Sequence, residues 1–266
     1  MIAKTHRIDC AETMTTAPPQ QIGQLDFIEL RLASGGMRRF FYRATSRTDR
    51  SVIQQIFEAQ HYNLAQLPRS KALKEYALLV AAGGASLLVV DAGANIGASA
   101  VYLTQLDSRI HVCAIEPEPG NFSVLEANST GLPITPIKSA LANKSGKRWL
   151  TDPGLGEWGF RTGEQAGNLQ VTAVTMDDIL GTFDLPHFQP LICKIDIEGG
   201  ESDLFSANDS WMDRFPLIII ELHDWMLPGQ ASSKNFLRAV SKRNFDLFFR
   251  GENTFCFNNE LLGGER

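Results

Sequence analysis

The rhythm of apolar and polar positions along the chain changes near residue 86. Before it, residues 27–42 alternate the two classes around Ser34-Gly35-Gly36, which predicts a β-hairpin closed by a glycine turn. Val52, Ile53, Ile56 and Phe57 then share one helical face within residues 51–61, and a second helix is expected over about 69–82, stopped by Gly83-Gly84. Beyond residue 86, short apolar runs alternate with helical stretches. The runs at 87–90, 112–115, 134–137, 191–195 and 217–221 lack the alternation of a half-exposed strand, so they fit parallel strands covered on both faces. Helices are expected after Gly97, after Pro119, near 176–180, after Gly200 and over about 232–243. Residues 245–250 and 254–257, parted by Gly251-Glu252-Asn253, read as an antiparallel hairpin at one edge. The outline is α/β: a mostly parallel seven-stranded sheet with a C-terminal antiparallel hairpin, preceded by a hairpin and helices.

No internal repeat or low-complexity block interrupts this pattern. It divides the 266 residues into a flexible tail (1–25), an N-terminal hairpin and helices packed on the core (26–84), the core (85–258) and a closing tail (259–266). Residues 77–102 carry one charge, Asp91, but the glycines at 83, 84, 93 and 97 argue for a helix end, a strand and a turn rather than a membrane span. The first residues lack the apolar stretch of a secretory signal. Twenty-five basic against 30 acidic residues give a net charge of −5, which disfavours nucleic acid and anionic membranes as partners. The four cysteines are widely spaced, without a CxxC pair, and fit a reducing, cytoplasmic setting.

Chemistry concentrates at the strand ends. Val89-Val90-Asp91-Ala92-Gly93-Ala94-Asn95-Ile96-Gly97 runs from a strand through a glycine turn into a helix, a shape that lets backbone approach a ligand. A dinucleotide fingerprint needs GxGxxG; here the spacing is GxxxG and Asp91 would repel pyrophosphate. Asp91 suits a ligand with positive charge near the turn, such as the ammonium of S-adenosylmethionine. Glu116 ends the next strand, where a carboxylate can take both ribose hydroxyls; Pro117 can lie against an adenine, and Ser139 and Ala140 can hold its edge. Phe122 reads as core rather than as a cofactor platform.

Lys194-Ile195-Asp196-Ile197-Glu198-Gly199-Gly200-Glu201 closes the fourth strand, and Glu221-Leu222-His223-Asp224 the fifth. Ligands of open α/β sheets gather at such ends, so Asp196 and Glu198 should face a crevice. Period-two alternation puts Glu221 and His223 on one side, a plausible base and orienter, while Asp224 reads as a turn residue. A buried ammonium at Lys194 needs a partner, and Asp177 and Glu221 are candidates. Asp196, Glu198, Glu221 and His223 could together hold a divalent ion, but their spacing matches no dedicated metal motif and no metal is assigned.

VDAGANIG (90–97), IEPEPGNFSVLEAN (115–128), VTMDDIL (174–180), KIDIEGGE (194–201) and IIIELH (218–223) resemble, in this order, the FkbM family of S-adenosylmethionine-dependent methyltransferases. SVIQQIFEAQHYNL (51–64) resembles that family's leading helix, so the likeness covers roughly 50–257. It implies a class I methyltransferase (Rossmann-like) three-layer sandwich and O-methylation of a sugar, polyketide or other secondary metabolite. The cofactor turn would fall on Asp91, Gly93, Asn95 and Gly97, the ribose carboxylate on Glu116 and the crevice acid on Asp196. His223, oriented by Glu221 or Glu198, is the preferred base, with Asp196 as the alternative. The acceptor pocket is expected from the leading helices, the glycine-rich stretch 152–168 and the region of Trp225 and Met226. An NAD-dependent oxidoreductase and a cofactor-binding interaction protein without catalysis are the competing readings, and self-association is left open.

Overall fold

A computed structural model describes residues 24–151, 161–163, 167, 169–184 and 187–263. The N-terminal hairpin joins β1 (Leu25–Arg31) to β2 (Met37–Arg43). Helix α1 (Arg47–Ile53) starts four residues earlier than the apolar spacing predicts. Ser46 accepts a hydrogen bond from the Asp49 amide, and this cap fixes the start. The helix then widens into a π turn over Gln54–Glu58, so its apolar face shifts where it meets the core. Helix α2 (Ser70–Ala82) follows.

The core alternates strands and helices: β3 (Ser86–Ala92), α3 (Ala98–Thr104), β4 (Ile110–Ile115), α4 (Pro119–Ser129) and β5 (Ile134–Ile137). It continues through β6 (Ala140–Leu141), β7 (Gly146–Thr151), β8 (Arg161–Gly163), β9 (Leu169–Val174) and α5 (Met176–Gly181). Then come β10 (Phe188–Ile195), α6 (Glu201–Leu204), β11 (Leu217–Glu221), α7 (Lys234–Val240), β12 (Phe245–Arg250), β13 (Asn253–Asn258) and α8 (Asn259–Leu262). The main sheet has the order β12-β13-β11-β10-β3-β4-β5, antiparallel at the β12-β13-β11 edge and parallel elsewhere.

The unbroken apolar runs are explained by burial on both faces. Leu87, Val89 and Ile219 pack with Phe40, Ile53 and Leu73 of the N-terminal segment, whereas Leu88, Val90, Ile218 and Ile220 pack with Trp211, Phe215 and Phe236 opposite. The result is the three-layer sandwich of the class I methyltransferases. Cys113, Cys193 and Cys256 are buried free thiols.

Three local expectations change. A second sheet, β6-β9-β7-β8, replaces a stretch read mostly as loop. Residues 161–163 of the glycine-rich segment form β8; apart from Gly167, the rest of 152–168 lies outside the described residues, as does the expected tail before residue 24. Finally, 259–262 is a helix rather than tail, because the Asn258 side chain accepts from the amides of Glu260 and Leu261.

Candidate active site

Strand β3 delivers its chain to a cavity of about 370 Å³ at the carboxyl end of the sheet. Gly93 makes the turn at φ +75°, and a Cβ there would lie 1.7 Å from the Asp196 carbonyl oxygen, so only glycine lets β3 and β10 close this tightly. Gly93, Ala94 and Asn95 line the cavity. Gly97 does not; at φ +89° it starts α3, packed against Leu125. The Asn95 side-chain oxygen is buried without a hydrogen-bond partner.

Glu116 lies across the turn, also lining the cavity. Its Oε2 accepts from the Asn95 amide at 2.9 Å and its Oε1 from the Glu118 amide at 2.9 Å. A carboxylate oxygen has more than one acceptor site, so both remain able to take a hydroxyl. Burial pushes this carboxyl up to about 7, against the lowering effect of the two amides. Pro117, Ser139 and Ala140 complete this half of the wall, while Phe122 packs on the core.

Asp91 departs from expectation. It is fully buried and absent from the wall, with Oδ2 accepting from the Ser99 hydroxyl at 2.6 Å and Oδ1 3.1 Å from Lys194 Nζ. Lys194 sits beside Asp91 in the β10–β3 register, so its partners are Asp91 and, at 3.5 Å, Asp196, rather than Asp177 or Glu221. Its ammonium also donates to the Gly93 carbonyl at 2.7 Å. Burial alone would lower the Lys194 pKa, but Asp91 and the neighbouring charges raise it, so the ammonium stays charged and pins the turn.

The opposite half of the cavity is acidic. Asp196, Glu198 and Glu221 line it, with Glu198 held at φ 53°. His223 lies behind them, 1% exposed. Its Nδ1 is 2.9 Å from Glu201 Oε1, and its Nε2 is 3.6 Å from Asp196, 3.4 Å from Glu198 and 3.5 Å from Glu221. Burial opposes its charge, but the Glu201 hydrogen bond and the surrounding carboxylates hold it up to about 9. His223 is not among the residues that line the cavity: Glu201 holds its Nδ1, and its Nε2 faces the three carboxylates that form the wall. The orienting carboxylate is Glu201, not Glu221 or Glu198. Burial and the Asp196 charge raise Glu198 to about 8 and Glu221 to about 7.

Gln55, Ile56 and Tyr62 of the N-terminal segment line the cavity, as do Trp225 and Met226. Tyr62 was not legible as a site residue. Burial, reinforced by Asp196, Asp91 and Glu221, raises its phenol pKa, so it faces the crevice as a neutral hydroxyl.

The fold, a mostly parallel seven-stranded sheet closed by an antiparallel hairpin, is that of the class I methyltransferases. Residues 91–247 match the model of the methyltransferase FkbM domain, so the chain belongs to the FkbM methyltransferase family, and its cofactor is S-adenosylmethionine. The chain is 24% identical over 144 residues to the hexuronic acid methyltransferase AglP of Haloferax volcanii, a match covering 53% of the chain and 58% of that relative. The N-terminal domain of human METTL16 in complex with SAH aligns at TM-score 0.38 and 12% identity, over 86% of this chain and 88% of that one. Precorrin-6y C5,15-methyltransferase from Geobacter metallireducens GS-15 aligns at TM-score 0.35 and 10% identity, over 69% and 85%. The site residues fit the cofactor: Gly93 leaves the turn without a side chain, the buried Asn95 oxygen is unpaired, and Glu116 retains acceptor capacity. No helix among the described residues is long and apolar enough to cross a membrane.

Proposed function

We propose that the protein methylates a hydroxyl of a small sugar-like or secondary-metabolite acceptor. The observation that carries this reading is one continuous cavity whose walls differ in chemistry, with Gly93, Asn95 and Glu116 on one side and Asp196, Glu198 and Glu221 on the other. S-adenosylmethionine, when bound, supplies an electrophilic sulfonium methyl. Glu116, Pro117, Ser139 and Ala140 would hold its nucleoside half, and the turn pinned by Lys194 would receive the half that carries the methyl group. Tyr62 and Trp225, which line the cavity, would hold the acceptor hydroxyl beside the bound cofactor. A hydroxyl is a weak nucleophile, so its proton must leave as the new bond forms; Glu198, which lines the wall and is not hydrogen-bonded, accepts it. The sugar class of acceptor draws support from the relative's printed activity on a hexuronic acid. The buried free thiols support a reducing, cytoplasmic setting.

A panel of hydroxylated acceptors, with methylated products read by mass spectrometry, tests the reading. At least one sugar or polyol should be methylated. Glu198→Gln should lower turnover by roughly 10²–10⁴-fold without changing affinity for S-adenosylhomocysteine. Methylation of amines alone overturns the hydroxyl assignment, and full turnover in Glu198→Gln moves the proton acceptor elsewhere.

A further inference from the structure

Asp196, Glu198 and Glu221 line the acceptor half of the cavity, with Asp91 and Glu201 buried behind them; Lys194 is shared between Asp91 and Asp196, and the His223 ring is the one other basic group among them. Charges of one sign packed this closely call for a cation. Asp196, Glu221 and His223 each offer a donor atom, and the three atoms lie within 4.8 Å of one another. His223 makes this more than an acidic cluster. Its ring is 1% exposed, and Glu201 fixes Nδ1 at 2.9 Å, as a carboxylate does behind a metal-bound imidazole. Nε2 then faces the carboxylates of Asp196, Glu198 and Glu221, and the Asp196 Oδ1 atom 3.6 Å from it is buried without a hydrogen-bond partner.

We infer that Asp196 Oδ1, a Glu221 carboxylate oxygen and His223 Nε2 form a binding site for a divalent transition ion that displaces the Nε2 proton to solvent, with an open position toward the acceptor. Bonds of about 2.1 Å arranged tetrahedrally put neighbouring donors about 3.4 Å apart. Nε2 lies 3.6 Å from Asp196 Oδ1 and 3.5 Å from Glu221 Oε1, so the separations suit such an ion. Two carboxylates with one imidazole favour Mn²⁺ or Zn²⁺ over Mg²⁺ and Ca²⁺, which prefer all-oxygen sets. The ion would give the acceptor hydroxyl a fixed anchor beside Glu198. That role rests on the O-methylation reading, whereas the binding itself does not.

The test is titration of chelator-treated full-length protein with Mn²⁺, following free ion by electron paramagnetic resonance and heat by calorimetry. One Mn²⁺ should bind per chain, more tightly than Mg²⁺. Glu201→Gln, which only loosens the support behind His223, should weaken binding by roughly 10–100-fold. Asp196→Asn and Glu221→Gln should each weaken it further, and pulsed resonance should show a nitrogen coupling that disappears in His223→Gln. Circular dichroism and a cooperative urea-unfolding transition confirm that each variant is folded. No Mn²⁺ or Zn²⁺ binding, or binding unchanged in the Asp196→Asn/Glu221→Gln double variant, overturns the site. Methyl transfer by chelated protein that binds no ion would sink the site and leave the proposed function standing. Stoichiometric Mn²⁺ binding without methylation of any hydroxyl would do the reverse.

Discussion

Glu116 concentrates two demands on one carboxyl. In the proposed ribose role it must be ionised for its oxygens to accept both hydroxyls, yet burial raises it to about 7. Because the folded pKa lies above the unfolded one, the free protein gains stability from this group below the unfolded value and loses it as pH rises toward 7. Ligand binding has the opposite sign, since the ionised form is the better acceptor. The dissociation constant for S-adenosylhomocysteine should therefore be roughly tenfold weaker at pH 6 than at pH 8, for a carboxyl titrating near 7. Glu116→Gln should bind more weakly with this pH dependence removed, and calorimetry across that range decides it; a wild-type profile flat in pH removes Glu116 from the ribose. Glu116 was legible in the sequence because it ends an apolar run at a fixed distance from a glycine turn. Lys194 was legible as a residue needing a partner, but the partner depends on β10 lying beside β3, a register that the chain pattern does not contain. The same gap hid Glu201 behind His223 and Tyr62 above Lys194, because those contacts span 22 residues and more of chain.

Elements meet through a few buried polar groups, and Asn128 on α4 is the clearest. Its Oδ1 accepts from the Phe41 amide at 2.7 Å, and its Nδ2 donates to the carbonyls of Phe41 and Ile96 at 2.9 and 2.8 Å. One side chain thus ties the N-terminal hairpin to the helix that supports the cofactor turn. Asn128→Ala strands these buried backbone groups and should cost about 2–4 kcal/mol, measured by urea unfolding. A loss below about 0.5 kcal/mol, the range of ordinary surface changes, would show that the hairpin is held by its apolar contacts alone. The inner strands β3, β4, β10 and β11 were readable because double-sided burial leaves a continuous apolar signature, and β12 and β13 because Gly251-Glu252-Asn253 parts them as a hairpin. The second sheet was not. Its strands are short and mixed, as in Gly-Lys-Arg-Trp-Leu-Thr at 146–151, and gain meaning only when paired with each other. Helix α1 was readable as a helix but not at its start, where the Ser46 cap overrides apolar spacing.

Taken over the whole molecule, the net charge of −5 is unevenly spent, with Asp91, Asp196, Glu198, Glu201 and Glu221 drawn to one end of the sheet. This distribution separates the family's cofactor from a nicotinamide dinucleotide more sharply than the fold does. Glu116 could take the ribose of either. A pyrophosphate would have to enter at Gly93, where β10 approaches so closely that a single Cβ has no room, and continue toward three carboxylates. A cationic sulfonium gains from the field that an anionic dinucleotide pays to enter. S-adenosylmethionine at a hundredfold excess over its dissociation constant should stabilise the protein by about 2.7 kcal/mol. For a chain of this size that corresponds to a rise of roughly 5–10 °C in Tm. Scanning calorimetry should show this rise with S-adenosylmethionine, a smaller one at equal concentration of S-adenosylhomocysteine, whose sulfur is uncharged, and none with NAD. The order carries the argument, because the two thioether-related ligands share every nucleoside contact and differ at the sulfur charge. Equal shifts for both would mean that the acidic half of the cavity does not feel the sulfonium, and a shift with NAD would mean that the turn admits a pyrophosphate after all.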